Sequence, residues 1–221
     1  MTWVVIPLKS PLQAKQRLAP LLTSTQRRCL VFTMLSDMLA ALRAVERIEH
    51  ILVVTPLHAD GKILESWGIE VLYEREGGAE ENGAIEYATK YCLQAGGEEM
   101  LVLPGDLPLL TAEAVETLLT WGKDPPVVVL APSRDGRGTN ALFRSPPDVI
   151  PPAFGPDSFS RHQHAAHKRG IPCHIHTSTA LSLDLDTPED VACFWQYPHT
   201  THTHRQLQAW HLFSEPQERD E

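Results

Sequence analysis

Short apolar runs alternate with longer stretches of helical periodicity from Trp3 to Leu130, and this alternation leaves few folds open. The runs are 3–7, 48–55, 69–73, 100–103 and 127–130, each bounded by turn or polar residues. Between them lie helix candidates. Residues 23–45 have Thr23 or Ser24 as N-cap and apolar Leu30, Met34, Met38 and Leu42 at helical intervals. Residues 60–67 stop at Gly68, 81–94 stop at Gly96-Gly97, and 111–121 start on Thr111. Strands alternating with helices predict an α/β fold with a mainly parallel sheet.

The second half is less regular. A polar, glycine-bearing loop, Ser133–Gly138, precedes a strand at 139–143, and proline pairs follow. Asp157 or Ser158 is placed to cap a helix reaching Arg169. Residues 182–186 read as a returning strand, and Thr187-Pro188 opens a last helix. One domain is expected over 1–197. The His- and Thr-rich stretch 198–221 is expected to be a tail, disordered or docked late.

Composition narrows the function classes. The 221 residues carry a formal charge of -9, which argues against nonspecific nucleic-acid binding but leaves room for a local basic pocket. The four cysteines show no CxxC spacing, so neither a zinc site nor a disulfide framework is indicated. No signal-peptide pattern or membrane-length apolar run is visible, and a cytoplasmic location is expected.

Two acidic elements carry the chemistry. Leu101-Val102-Leu103-Pro104 runs into Gly105-Asp106, and Ser182-Leu183 runs into Asp184-Leu185-Asp186. Carboxylates at the ends of apolar runs sit where an α/β sheet binds ligands. Hard divalent cations such as magnesium take oxygen ligands there and bridge to substrate phosphates. Alternation puts Asp184 and Asp186 on one side. The structural alternatives are an ordinary surface Asp106 and an Asp186 that serves only the start of the last helix.

Basic and hydroxyl residues supply the complementary half. The loop after the first run carries Lys9, Lys15 and Arg17, suited to triphosphate and departing pyrophosphate. It is not a Walker A loop, since GxxxxGK[ST] is absent. A solvated basic loop is the plain alternative. Ser133, Arg134 and Thr139 lie in a loop that suits a phosphate or carboxylate. Gly155 and Ser158 open a helix, where backbone amides attract anions; a tight turn and simple cap are the alternative. His162, His164 and His167 do not match a helical metal pair and read as a solvated face.

In order along the chain, Ile6-Pro7-Leu8-Lys9 with Ala14–Leu18, Gly105–Leu110, Ala131–Leu142, Phe154–Phe159 and Leu183–Asp190 resemble the guanylyltransferases of deazaflavin coenzyme F-420 biosynthesis. The resemblance runs from about Trp3 to Trp195. It implies a single-domain nucleotide-diphospho-sugar transferase-like fold. It implies transfer of GMP from GTP to a small phosphorylated three-carbon acid, releasing pyrophosphate, with a homodimer expected. Phosphoenolpyruvate is the favoured acid, ahead of 2-phospho-L-lactate and 3-phosphoglycerate. Carried over residue by residue, Asp106, Asp184 and Asp186 match magnesium ligands, Thr139, Gly155 and Ser158 match the acid site, and Lys9, Lys15 and Arg17 match the triphosphate loop. Lys15 and Arg17, with Asp106, are the expected catalytic residues.

One region departs from the family pattern. Ala79–Ala84 replaces a Gly-Leu-Asn run near the nucleoside, retaining Asn82. Three alternatives stand beside the main reading. A molybdenum-cofactor-type GTP transferase would carry a glycine-rich first loop, and Leu8–Leu18 contains no glycine. A glycosyltransferase using Asp184-Leu185-Asp186 would not need Lys15 and Arg17. A catalytically dead nucleotide-binding module is opposed by retention of all three aspartates.

Overall fold

A computed structural model describes residues 1–9, 15–56, 58–74, 81–198 and 200–212. Ser10–Ala14, Ala79-Glu80, His199 and Phe213 therefore lie outside the described residues. The strands are β1 (Thr2–Pro7), β2 (Ile48–Thr55), β3 (Glu70–Tyr73), β4 (Glu99–Val102), β5 (Val127–Pro132), β6 (Thr139–Ser145) and β7 (Cys173–Ile175). The helices are α1 (Ser24–Arg43), α2 (His58–Ser66), α3 (Glu81–Gln94), α4 (Ala112–Thr120), α5 (Ser158–Lys168), α6 (Thr179–Ser182), α7 (Pro188–Phe194) and α8 (His202–Ala209).

The strands form one sheet in the order β3-β2-β1-β4-β6-β5-β7. The β1, β2, β3 and β4 pairings are parallel; β6 runs antiparallel to both β4 and β5, and β7 is parallel to β5. Among the described strands, β6 alone is reversed. Its first residue, Thr139, therefore lies at the same sheet edge as the last residues of β1, β4 and β5. The chain leaves β1 toward β2 on one side and returns to β4 on the other. The crevice between those two strand ends is the switch point at which such sheets bind ligands.

Strand alternation divides the core. Val4 and Ile6 face α1 and α4, against Leu35, Met38, Val115 and Leu118. Trp3 and Val5 face the other layer, against Ile85 and Cys92 of α3 and Ala166 of α5. A third cluster joins Leu18, Leu22, Leu30 and Met34 to Leu183, Leu185, Val191, Phe194 and Leu207.

The helix starts follow local chemistry. Thr23 accepts from the Gln26 amide in a capping box, and Thr187 does the same with Asp190, with Pro188 in the first turn. Thr111 caps α4 by accepting from the Ala114 amide.

Two readings change here. Residues 183–186 are not a strand: they run as an extended segment outside the sheet, because Leu183 and Leu185 bury themselves in the third cluster. The stretch after 198, expected as a tail outside the domain that is disordered or docked late, carries a docked helix. The carboxylate of Asp37 accepts from the amides of His202 and Thr203 and from the Thr203 hydroxyl at 2.7–2.9 Å. Leu207 is fully buried, and the His204 ring stacks on Phe194 at 3.8 Å. Only a few positions anchor the helix, and two of them are Thr and His, so hydrophobic periodicity did not reveal it.

Candidate active site

All eleven residues singled out from the sequence, namely Lys9, Lys15, Arg17, Asp106, Ser133, Arg134, Thr139, Gly155, Ser158, Asp184 and Asp186, line one cleft of about 970 Å³ at the switch-point edge of the sheet. That volume suits a nucleotide and a small second substrate together.

Lys15 organises its acidic wall. Its backbone is left-handed (φ 57), which turns the side chain inward from the first loop. Its ammonium bonds to Asp106 and lies 2.6 Å from Asp186 Oδ1, while only 6% of its side chain is exposed. Burial pushes the Lys15 pKa down, but Asp106 and Asp186 outweigh it and hold the group above its ordinary value. Asp186 is held below the usual carboxylate range: burial opposes this, and Lys15, then Arg17 and Lys9, prevail. Asp184 is pushed up by burial and by Asp106, despite a 3.2 Å hydrogen bond from Asn140 Nδ2.

The three carboxylates come together because of backbone geometry. Leu183 and Leu185 point into the third cluster, so Asp184 and Asp186 point the other way, into the cleft. The Leu185 amide donates to the Asp106 carbonyl at 3.3 Å, fastening that segment to the loop after β4. Gly105 packs close to Ile6 and Leu8, 3.5 Å from where a Cβ would stand.

Asp106 and Asp186 are the residues that could hold a magnesium ion. Asp106 and Asp186 converge on one cationic centre, and Asp106 Oδ1 is buried with no hydrogen-bond partner among the described residues. Hard oxygen donors of this kind suit magnesium. Among the described residues no three acidic, histidine or cysteine side chains are already arranged around a metal position. Lys15 instead holds the place between Asp106 and Asp186.

The opposite wall is built from β6 and the start of α5. Ser133 donates to Asp135 at 2.6 Å and accepts from the Gly138 amide at 2.7 Å, closing the 133–138 turn. Arg134 pairs with Asp190 at 2.5 Å, and Arg137 pairs with Asp157 at 2.9 Å. Both guanidinium groups thus have intramolecular partners, which the sequence did not show. The expectation about α5 needs a similar correction. Asp157 at its start is left-handed (φ 52) and makes no side-chain cap. The Ser158 amide donates to the Gly155 carbonyl and the Phe159 amide to the Arg137 carbonyl, so these two N–H groups are already used. The buried Ser158 side chain, not the first amides, is what this helix start offers the cleft.

Two residues behind this wall were read differently. Asn82 does not face the cleft. Its amide accepts from the Phe154 N–H at 2.7 Å and donates to the Phe154 carbonyl at 3.1 Å, clamping the loop before Gly155. His162 is completely buried, while His164 and His167 are exposed. At the cleft mouth Lys9 pairs with Glu81 at 3.0 Å.

The sheet is mainly parallel, its switch point is acidic and lysine-bridged, and the chain's family is one of nucleotidyltransferases. A family model describing CofC-like guanylyl transferases matches residues 2–221, and the chain belongs to that family. The match includes the stretch beyond Tyr197.

The chain is 37% identical over 190 residues to 3-phospho-D-glycerate guanylyltransferase of Colwellia psychrerythraea, covering 86% of this chain and 89% of that protein. It is 34% identical over 194 residues to phosphoenolpyruvate guanylyltransferase of Sphaerobacter thermophilus, covering 86% and 90%. It is 33% identical over 218 residues to 2-phospho-L-lactate guanylyltransferase of Methanothermobacter thermautotrophicus, covering 97% and 93%. Among solved structures, a protein of Desulfovibrio desulfuricans G20 classed with the nucleotide-diphospho-sugar transferases superposes with a TM-score of 0.79 at 16% identity, covering 94% of each chain, which supports the fold. Among the described residues, no helix is long and apolar enough to cross a membrane.

Proposed function

We propose that this guanylyltransferase transfers GMP from GTP to the phosphate of a three-carbon phosphorylated carboxylic acid, as in coenzyme F-420 biosynthesis. The carrying observation is the cleft itself: Lys15, Asp106 and Asp186 meet on one wall, and Thr139 and Ser158 line the other. In the reaction an oxygen of the acid's phosphate bonds to the α-phosphorus of GTP. The bond from that phosphorus to the β-phosphate oxygen breaks, and pyrophosphate leaves with the electron pair. The attacking phosphate is already ionised at neutral pH, so no general base is required.

Two polyanions must be aligned against their repulsion. Lys9, Lys15 and Arg17 supply positive charge at the end of β1, where the triphosphate and leaving pyrophosphate would lie. Thr139 and Ser158 supply hydroxyls for the acid. Magnesium, held by Asp106 and Asp186 with Asp184 adding negative charge, would withdraw electron density from the triphosphate oxygens. Lys15 also orients Asp106 and keeps Asp186 charged.

The test is pyrophosphate release from GTP with phosphoenolpyruvate, 2-phospho-L-lactate and 3-phospho-D-glycerate in separate reactions. Release with one of them and none with GTP alone supports the reading. GTP binding without release in all three would leave a nucleotide-binding module.

A further inference from the structure

His162 lies behind the acid wall and determines how that wall presents a hydroxyl. The N–H of Ala153 donates to His162 Nε2 at 2.8 Å. A backbone amide only donates, so Nε2 carries a lone pair. The ring is fully buried, and burial, reinforced by the positive charges of Arg144 and Arg161, pushes its pKa down to about 4. The imidazole is therefore neutral, and its single proton is on Nδ1. Nδ1 lies 3.0 Å from Thr139 Oγ1. It donates to that oxygen, so the Thr139 hydroxyl proton must point elsewhere. Thr139 lines the cleft and His162 does not.

We propose that His162 is a positioning residue for the phosphorylated acid: it fixes Thr139 as a hydrogen-bond donor toward the cleft and holds Ala153 on the same wall. One rigid ring thereby ties the start of β6 to the loop before Gly155. Asn82 and Arg161 fasten the next residue, Phe154, from the other directions. The Thr139 proton is then free to be donated to a ligand acceptor, as a phosphate or carboxylate oxygen is. The inference rests on the acid-binding reading given above.

Two substitutions separate the two hydrogen bonds. His162→Asn places an amide near the former Nδ1 and can still donate to Thr139. His162→Gln reaches the former Nε2 position and can still accept from Ala153. With folding checked by circular dichroism, the Gln variant should raise the acid's KM about tenfold, the loss of one oriented hydrogen bond. The Asn variant should recover it to within about threefold. In both, the KM for GTP should move less than about twofold, since the ring lies on the acid side only.

Nitrogen-15 correlation spectra of the wild-type imidazoles should show a neutral Nδ1–H tautomer for His162. Equal KM effects of Asn and Gln in an active enzyme, or an Nε2–H tautomer, would overturn the inference while leaving the acid reading standing. A wild-type enzyme that turns over none of the three acids would instead remove the acid reading, and this inference with it.

Discussion

Lys15 Nζ lies 2.6 Å from Asp186 Oδ1, across 171 positions of sequence, and also bonds to Asp106. The ion pairs join the loop after β1 to the loops after β4 and α6, so this wall of the cleft is assembled by charge as well as by packing. Lys15→Ala should lower kcat/KM at least about hundredfold, through loss of a preorganised cation at the developing pyrophosphate. It should also destabilise the protein by about 1–3 kcal/mol, less than for a fully buried pair because Asp186 remains partly exposed. Thermal melts in chelator and in magnesium check this. The variant should gain more stability from magnesium than the wild type does, and equal gains would show that the cation does not go to these carboxylates.

The three aspartates should not be equivalent. Asp106 contacts Lys15 and keeps a buried oxygen without a hydrogen-bond partner among the described residues, whereas Asp184 is bonded to Asn140. Asp106→Asn should reduce turnover by about a thousandfold or more, and Asp186→Asn should shift the magnesium requirement upward several-fold, roughly the loss of one ligand or charge partner. Asp184→Asn should have the smallest effect. Magnesium titrations of the Asp106 and Asp186 variants that overlay the wild type would eliminate the paired-carboxylate site.

Ser158→Ala should chiefly weaken the acid. The side chain is buried at the start of α5 and lines the cleft, while its amide is already engaged by Gly155. A hydrogen bond to a charged group contributes roughly 1.5–3 kcal/mol, so the acid's KM should rise about ten- to a hundredfold. Asp157, not Ser158, occupies the cap position, so little helix stability is at stake. Equal weakening of GTP and acid would point to a general loss of structure.

Acid should destabilise the fold through His162. Its folded pKa of about 4 lies below the ordinary 6.5, so between these values the unfolded chain binds the extra proton. The contribution is fully present above pH 6.5 and is lost as pH falls toward 4. Two and a half units amount to about 3 kcal/mol. Urea unfolding of wild type and His162→Asn at pH 7.5 and 4.5 isolates it. The variant should lose less stability on acidification, and parallel losses would place the titration elsewhere.

What was legible in the sequence is what local chemistry decides. Thr23, Thr111 and Thr187 announce their helices, Glu81–Gln94 has the predicted limits, and Asp106 stands after β4 as its glycine and apolar run imply. The sites decided by distant partners were not legible. Leu183 and Leu185 alternate like strand residues but answer to a cluster outside the sheet. Arg134 reads as a ligand-seeking cation until Asp190 is seen beside it. His162 looks like its exposed neighbours because nothing in its own helix says that Thr139 and Ala153 will close around it. The three-residue β7 is too short to show a period.

The C-terminal helix is where structure most changes the expected experiment. A disposable tail could be cut after Tyr197 without consequence. Here α8 packs on α1, takes its first amides to Asp37, and fills the third cluster with Leu207, against which Trp210 and Leu212 are partly packed. That same cluster holds Leu183 and Leu185, whose burial turns Asp184 and Asp186 into the cleft. Removing α8 should therefore reduce both stability and turnover. Leu207→Ala alone should cost about 2–5 kcal/mol, as for other buried leucines. Asp37→Ala, which leaves the apolar contacts in place, should cost less, about 1–2 kcal/mol for a lost helix cap. Chemical denaturation of the three variants gives the order directly. A truncated chain with wild-type stability and turnover would show that the third cluster does not need its last helix.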